Sequence, residues 1–290
     1  MLATAIIVFR EVLEAALIVG IVLAASRGIA YRGAWIAGGI AAGTVGATLV
    51  AAGAGTIAAA AAGMGQEVFN AAVLLTAVAM LGWHNIWMTQ HGREMASAAN
   101  RLGSEVREGA RPLWALALAV GLAVLREGSE VVLFLYGIAA TAEGAAGMAL
   151  GAALGFAAGA AAGAALYLGL VSIPLRHLFT VTSWLVLLLA AGMAAQAAAF
   201  LVQADFLPPL GNQLWDTSFV LTDYSLVGSV LHTLIGYTAQ PAGIQVVFYV
   251  ATLIVIGGLM RAIGGRPPSD SPARPKRVPG IGGRSARPTA

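Results

Sequence analysis

Between Leu2 and Arg261 the sequence offers seven windows of about 20 apolar residues, at about 3–25, 34–54, 67–89, 113–140, 146–171, 178–203 and 241–262. A hydrocarbon core about 30 Å thick takes about 20 helical residues to cross. Within it only a helix or a closed barrel satisfies the backbone. With 59% hydrophobic and 10% charged residues, the chain of 290 lacks the polar surface of a soluble domain. The expected fold is an all-α integral membrane protein with seven transmembrane helices. The first window has no basic segment or cleavage site ahead of its first charges, so it reads as a retained helix and not a signal peptide. With no Cys, disulfides, thiolate metal sites and c-type haem attachment are excluded. The eight Met are scattered, which argues against a soft Cu(I) relay.

Two clusters interrupt the apolar windows, REVLE at Arg10 to Glu14 and REGSE at Arg126 to Glu130. An ionised group near the bilayer centre costs at least about 3 kcal/mol, so intramembrane charge is a functional hypothesis by default. On a helix, Glu11 and Glu14 project from one face with Arg10 close to Glu14, and Arg126, Glu127 and Glu130 repeat the pattern. Each Arg can pair with the carboxylate one turn on, which lowers the cost of burial and leaves each cluster with one net negative charge. If the two helices face each other, four carboxylates and two guanidiniums converge, a set suited to a multivalent cation with hard oxygen preference. The partial offset by Arg keeps such a site weak enough to release its ion. Gly128 stands where the first cluster has Val12 and allows local unwinding or close approach. Buried salt bridges that only hold helices together, and a proton relay through the same Glu residues, are the competing readings; an apolar pair would pack more cheaply. A membrane di-metal oxidase would use Glu-x-x-His pairs, and no Glu here has a His three residues later.

Arg10 and Arg126 are 116 residues apart, and Met80 and Gln90 are echoed 113 residues later by Met193 and Gln203. Three windows precede each recurrence, so the second copy is expected upside down relative to the first. That is a 3+3 inverted repeat, with repeat A about 3–89 and repeat B about 113–203, and it places a substrate site at the midplane. An outer loop at 204–240 and a seventh helix at 241–262 complete a membrane domain of residues 1–262. Gly147, Gly151, Gly155, Gly159 and Gly163, with Gly39 and Gly43, form small-residue faces for close helix packing.

Outside the clusters, all fourteen Lys and Arg fall in the first, third and fifth connections and the C-terminal tail. By the positive-inside rule the N-terminus lies outside and the C-terminus in the cytoplasm. The acids Glu67, Glu143, Asp205, Asp216 and Asp223 fall on the other side, a charge pattern that concentrates cations. The third connection, about His91 to Arg111, reads as a short surface helix without chemistry, and residues 263–290 as a disordered basic cytoplasmic tail. Further candidates are Glu67 as a ligand at the entrance, or simply a favourable helix-start charge; His84, between Trp83 and Trp87, as a ligand at the exit, or part of an interfacial aromatic belt; and Asp216, Asp223 and His232, in a connection that covers the entrance or is only solvated.

The Arg-Glu-x-x-Glu clusters in the first and fourth windows resemble those of the oxidase-dependent iron permeases, which include the fungal high-affinity ferric permease and the membrane subunit of the bacterial Efe iron-uptake system. The segment LWDTSFVLTDYSLVGSVLHTLIGYTAQPAGIQVVFYVATLIVIGGLM, Leu214 to Met260, is similar to the end of the bacterial branch. The resemblance implies iron import across the inner membrane: ferrous ion oxidised outside, then ferric ion passed inward. Glu11, Glu14, Glu127 and Glu130 are then metal ligands, and Arg10 and Arg126 their charge partners. It also implies a periplasmic oxidase or peroxidase and an iron-binding protein as partners, with iron as substrate and no permanently bound cofactor. Lead and manganese stay open as alternative cargo. Membrane lipid is the other partner; nucleic acid is not expected.

Overall fold

A computed structural model describes residues 1–61, 65–140, 144–169, 175–211, 213–222 and 225–264. Within them the chain is all helical: α1 (Leu2–Ala25), α2 (Arg32–Ala61), α3 (Gln66–Arg107), α4 (Trp114–Ala139), α5 (Ala145–Tyr167), α6 (Leu175–Gln203), α7 (Leu226–Ile235) and α8 (Gly243–Gly264). No Pro interrupts any of these helices, and Gly28 and Gly109, at φ 89° and 77°, turn the chain out of α1 and α3 in the left-handed conformation that glycine adopts without strain.

Five segments are long and apolar enough to cross a membrane: Arg32–Thr56, Gln66–Gly92, Ala145–Tyr167, Phe179–Gln203 and Gly243–Ile263. The 24-residue α1 and 26-residue α4 match them in length but carry the charged clusters. Leu49, Leu122, Leu154, Phe156 and Ile254 all stand more than half exposed. Such an apolar surface is stable against lipid and not against water.

Packing contacts fix the directions of the helices. Glycines let α5 lie along α1, with Gly151 against Met1 and Gly163 against Ala16; α2 lies along α4, with Gly39 against Ala117 and Gly128 against Ala47. A Cβ at Gly155 would come within 2.5 Å of the Ala5 carbonyl oxygen, so the small face is a condition of this packing. His84 beside Glu11 and Gly103 beside Ala25 make α3 parallel to α1. Gly137 beside Ala77, and Arg126 beside Met95, make α4 antiparallel to α3. Asn85 donating to the Ser183 carbonyl oxygen, with Ala77 and Met193 both against Gly137, makes α6 antiparallel to α3, and Leu187 beside Gly257, with Arg261 over Trp184, makes α8 antiparallel to α6. Thus α1, α3, α5 and α8 run one way and α2, α4 and α6 the other. Arg27, Arg32, Arg107, Arg111 and Arg261 gather at one face, while Glu67, Asp205 and Asp216 lie at the other. The main core (Ile7, Leu74, Leu81, Phe134, Leu187 and Ala194) fills the space between α1, α3, α4 and α6.

Two expectations change. The third connection is not a separate surface helix: α3 continues without a break through 42 residues, about 63 Å at 1.5 Å per residue, far beyond one bilayer core. Its extension packs Ala99 and Val106 with Val22, Ile36 and Leu116, a second core that needs continuous helix. The outer loop also holds structure, since Ser225 caps α7 by accepting from the Gly228 amide. The basic tail from residue 265 lies outside the described residues, as do Glu143 and Asp223.

Candidate metal centre

The two charged clusters meet. Arg10 lies on α1 one turn before Glu14, and its Nε donates to Glu14 Oε1 at 2.9 Å; Arg126 Nε donates to Glu130 Oε1 at 3.0 Å on α4. Each pair is the i,i+4 geometry of one helical turn. The antiparallel run of α1 and α4 brings Glu11 and Glu127 between them, both at least 98% buried. One ligand atom from each of Glu11, His84, Glu127 and Glu130 falls within 4.8 Å of the others. Opposite ligands about a cation with bonds of about 2.1–2.4 Å are about 4.2–4.8 Å apart, so this set has the size that one ion needs.

The cluster is short of positive partners. Among the described residues, both oxygens of Glu127 and one each of Glu11, Glu14 and Glu130 are buried without a hydrogen bond, as are Arg10 Nη1 and both ring nitrogens of His84. Arg126 Nε stands 3.8 Å from Glu127 Oε1, outside hydrogen-bond range. Four carboxylates against two guanidiniums leave an excess of negative charge in a dry setting, where each unpaired ion costs several kcal/mol. A bound cation would remove that cost.

The two Arg are not equivalent. Arg10 is 1% exposed and locked in the interior. Arg126 is 32% exposed at its side chain, lies 4.0 Å from the centroid of the Trp87 ring and directs Nη1 to Met95 Sδ at 3.6 Å. Cation–π contact offsets part of its desolvation.

His84 sits at the centre rather than at an exit. Its Nδ1 contacts Glu130 Oε2, and Nε2 lies 3.5 Å from Glu14 Oε2 and 3.7 Å from Glu11 Oε2. What sets it apart from an interfacial aromatic belt is contact with carboxylates of both α1 and α4, not its position along α3. Glu67 is exposed in the first turn of α3, about 26 Å along the axis from His84, where the helix dipole favours it. Asp216 is exposed and engaged within its loop, accepting from the Ser218 hydroxyl and amide and from the Gln240 side chain. The Ser218 hydroxyl is the main cause that holds its pKa below the usual Asp value. His232 is exposed, with Nδ1 at 2.6 Å from the Tyr237 carbonyl oxygen. None of these three joins the cluster.

Two cavities reach the charged layer. One of about 810 Å³ is lined by Thr76, Met80, Trp83 and Phe134 and ends at His84, Arg126 and Glu130. The other, of about 460 Å³, is lined by Ile18, Met88, Met95 and Met260 and ends at Arg10, Glu14 and Glu127. On α3 the first runs from Leu75 to Trp87 and the second from Met88 to Ala96, and residues of the cluster line both. The methionines scattered in the sequence are therefore partly gathered in space.

The profile of the iron permease FTR1 family matches residues 1–266. A protein named ferrous iron permease EfeU from Yersinia pestis is 31% identical over 258 residues, covering 86% of this chain and 89% of the relative. EfeU from Escherichia coli O6:H1 (strain CFT073) is 32% identical over 254 residues, covering 86% and 91%. No solved structure gives a significant match.

Proposed function

The chain belongs to the iron permease FTR1 family and is therefore an integral membrane transporter of iron, not an enzyme; on that premise we propose that it imports iron across the cytoplasmic membrane through the Glu11, Glu14, Glu127 and Glu130 carboxylates, with Arg10 and Arg126 as their charge partners. The observation that carries this reading is the buried carboxylate layer, short of cations, which lines two separate cavities. A substrate ion entering one cavity meets oxygens from both charged helices and leaves through the other.

The proposal includes seven membrane spans arranged as a 3+3 inverted repeat with α8 outside it. Support comes from the alternating helix directions and from the paired contacts of α1 with α5 and α4 with α2, which exchange under such a two-fold. The basic face, holding the ends of α1, α3 and α8, is assigned to the cytoplasm, so the N-terminus lies outside. The relatives' printed name speaks of ferrous iron. We carry that over as the ion presented, with loss of one electron to an extracytoplasmic oxidase or peroxidase before the ion reaches the carboxylates, and with delivery by an iron-binding protein. The family match gives lead or manganese no support.

The test is iron accumulation in sealed vesicles. Glu14→Ala and Glu130→Ala are expected to abolish it while the protein stays inserted and folded. Uptake at the unsubstituted rate in both variants would remove the carboxylates from the path.

A further inference from the structure

Four carboxylates cannot by themselves separate iron from the calcium and magnesium that hard oxygen sites also take. Imidazole nitrogen favours the iron class of ions over those two. We propose that His84 supplies the nitrogen donor of this site through Nε2, and that this one ligand sets its preference for a transition-metal ion over an alkaline-earth ion. The inference rests on the carboxylate reading above and adds the specificity determinant to it.

The geometry is that of an oriented ligand. Nδ1 contacts Glu130 Oε2; a proton carried on Nδ1 toward that carboxylate would fix the ring and leave Nε2 as the free electron pair, the carboxylate–histidine arrangement common at metal sites. Nε2 then faces Glu14 Oε2 at 3.5 Å and Glu11 Oε2 at 3.7 Å. Ligands sharing one ion with bonds of about 2.0–2.4 Å are separated by about 2.8–4.8 Å, so both separations suit a shared ion. His84 is 4% exposed, neither ring nitrogen makes a hydrogen bond among the described residues, and Phe134 stands edge-on to the ring at 6.4 Å. Its helix is held in place on two sides. Asn85 ties α3 to α6 through the Ser183 carbonyl oxygen, and Gly82 lets Ile256 of α8 close against α3.

The donor is also asymmetric. The offset of 113 residues that relates Met80 to Met193 places Ala197 opposite His84, fully buried and without a donor. Carboxylates and guanidiniums are duplicated across the two halves, and the imidazole is not. His91 stacks on Trp87 and His232 faces Tyr237, both away from the cluster.

The test uses the full chain in lipid nanodiscs with Mn²⁺ as a paramagnetic probe. Pulsed electron paramagnetic resonance is expected to find nitrogen coupled to the bound ion, to change pattern when histidine is ¹⁵N-labelled, and to lose the coupling in His84→Gln. Mn²⁺ bound without nitrogen coupling, yet released by Glu127→Gln, would overturn the His84 assignment and leave the carboxylate reading standing. Mn²⁺ binding indifferent to Glu127→Gln would overturn both. In vesicles, His84→Gln is expected to lower the ratio of iron to calcium uptake about 10- to 100-fold, the range for loss of a group that tunes a metal site. An unchanged ratio in a variant that still transports would refute the specificity role.

Discussion

The two arginines repeat in the sequence but should not cost the same to remove. In Arg10→Met, Glu14 loses the Nε donor at 2.9 Å and stays buried as a carboxylate with no other partner inside hydrogen-bond range, since His84 Nε2 is 3.5 Å away. Breaking a buried pair from one side costs about 3–5 kcal/mol. In Arg126→Met, Glu130 is left in contact with His84, and the lost guanidinium was already one-third exposed. The Coulombic part is then close to the about 1 kcal/mol of a screened pair, with about 0.5–1 kcal/mol more for the stacking on Trp87. The difference of about 2 kcal/mol is about 30-fold in the unfolding equilibrium. Reversible denaturant unfolding of both variants in the same detergent, followed by tryptophan fluorescence, reads it directly. Equal destabilisation, or a greater loss in Arg126→Met, would refute the assignment of Arg10 as the locked member of the pair.

Other consequences can be checked singly. Gly155→Ala is expected to destabilise by about 1–3 kcal/mol, the cost of overpacking, because its Cβ meets the Ala5 carbonyl oxygen at 2.5 Å; Gly38→Ala, with open space around it, is expected to be neutral in the same melting assay. Asn85→Ala should cost about 0.6–1.7 kcal/mol, the range for an interhelical hydrogen bond in a membrane, and equal melting temperatures would contradict the α3–α6 tie. Because the folded pKa of Asp216 is depressed, its contribution to loop order is present above the ordinary Asp range and is lost only as pH falls through the lower folded value. Amide exchange at Ser218 should therefore stay protected through that range and rise below it. Loss of protection at mildly acidic pH would reverse the sign.

What the sequence made legible was local or periodic. The apolar windows, the spacing of Glu11 and Glu14 against Glu127 and Glu130, and the four-residue glycine rhythm of α5 all follow from helix geometry alone. His84 did not, because its place depends on how α3 packs. The window alone puts it between Trp83 and Trp87; only the packing of α3 against α1 and α4 sets it beside Glu11, Glu14 and Glu130. The length of α3 was legible in the stretch from Gln90 to Arg107, which has no Pro and is rich in Ala, Glu and Arg, good helix formers. The gathering of Met88, Met95 and Met260 around one cavity joins α3 to α8, a pairing that no local pattern encodes. Asp216 looked like a ligand because a loop carboxylate and a metal-binding carboxylate are the same residue type, and only the partners Ser218 and Gln240 distinguish them.

The central claim is that one iron ion sits between the two oppositely directed charged helices. Anomalous diffraction at the iron edge from crystals of the full chain grown with iron tests it most directly. The account predicts a peak about 2.0–2.4 Å from carboxylate oxygens of both α1 and α4. A fully occupied peak bound only by surface acids, with Glu11 and Glu127 free of metal, would contradict it.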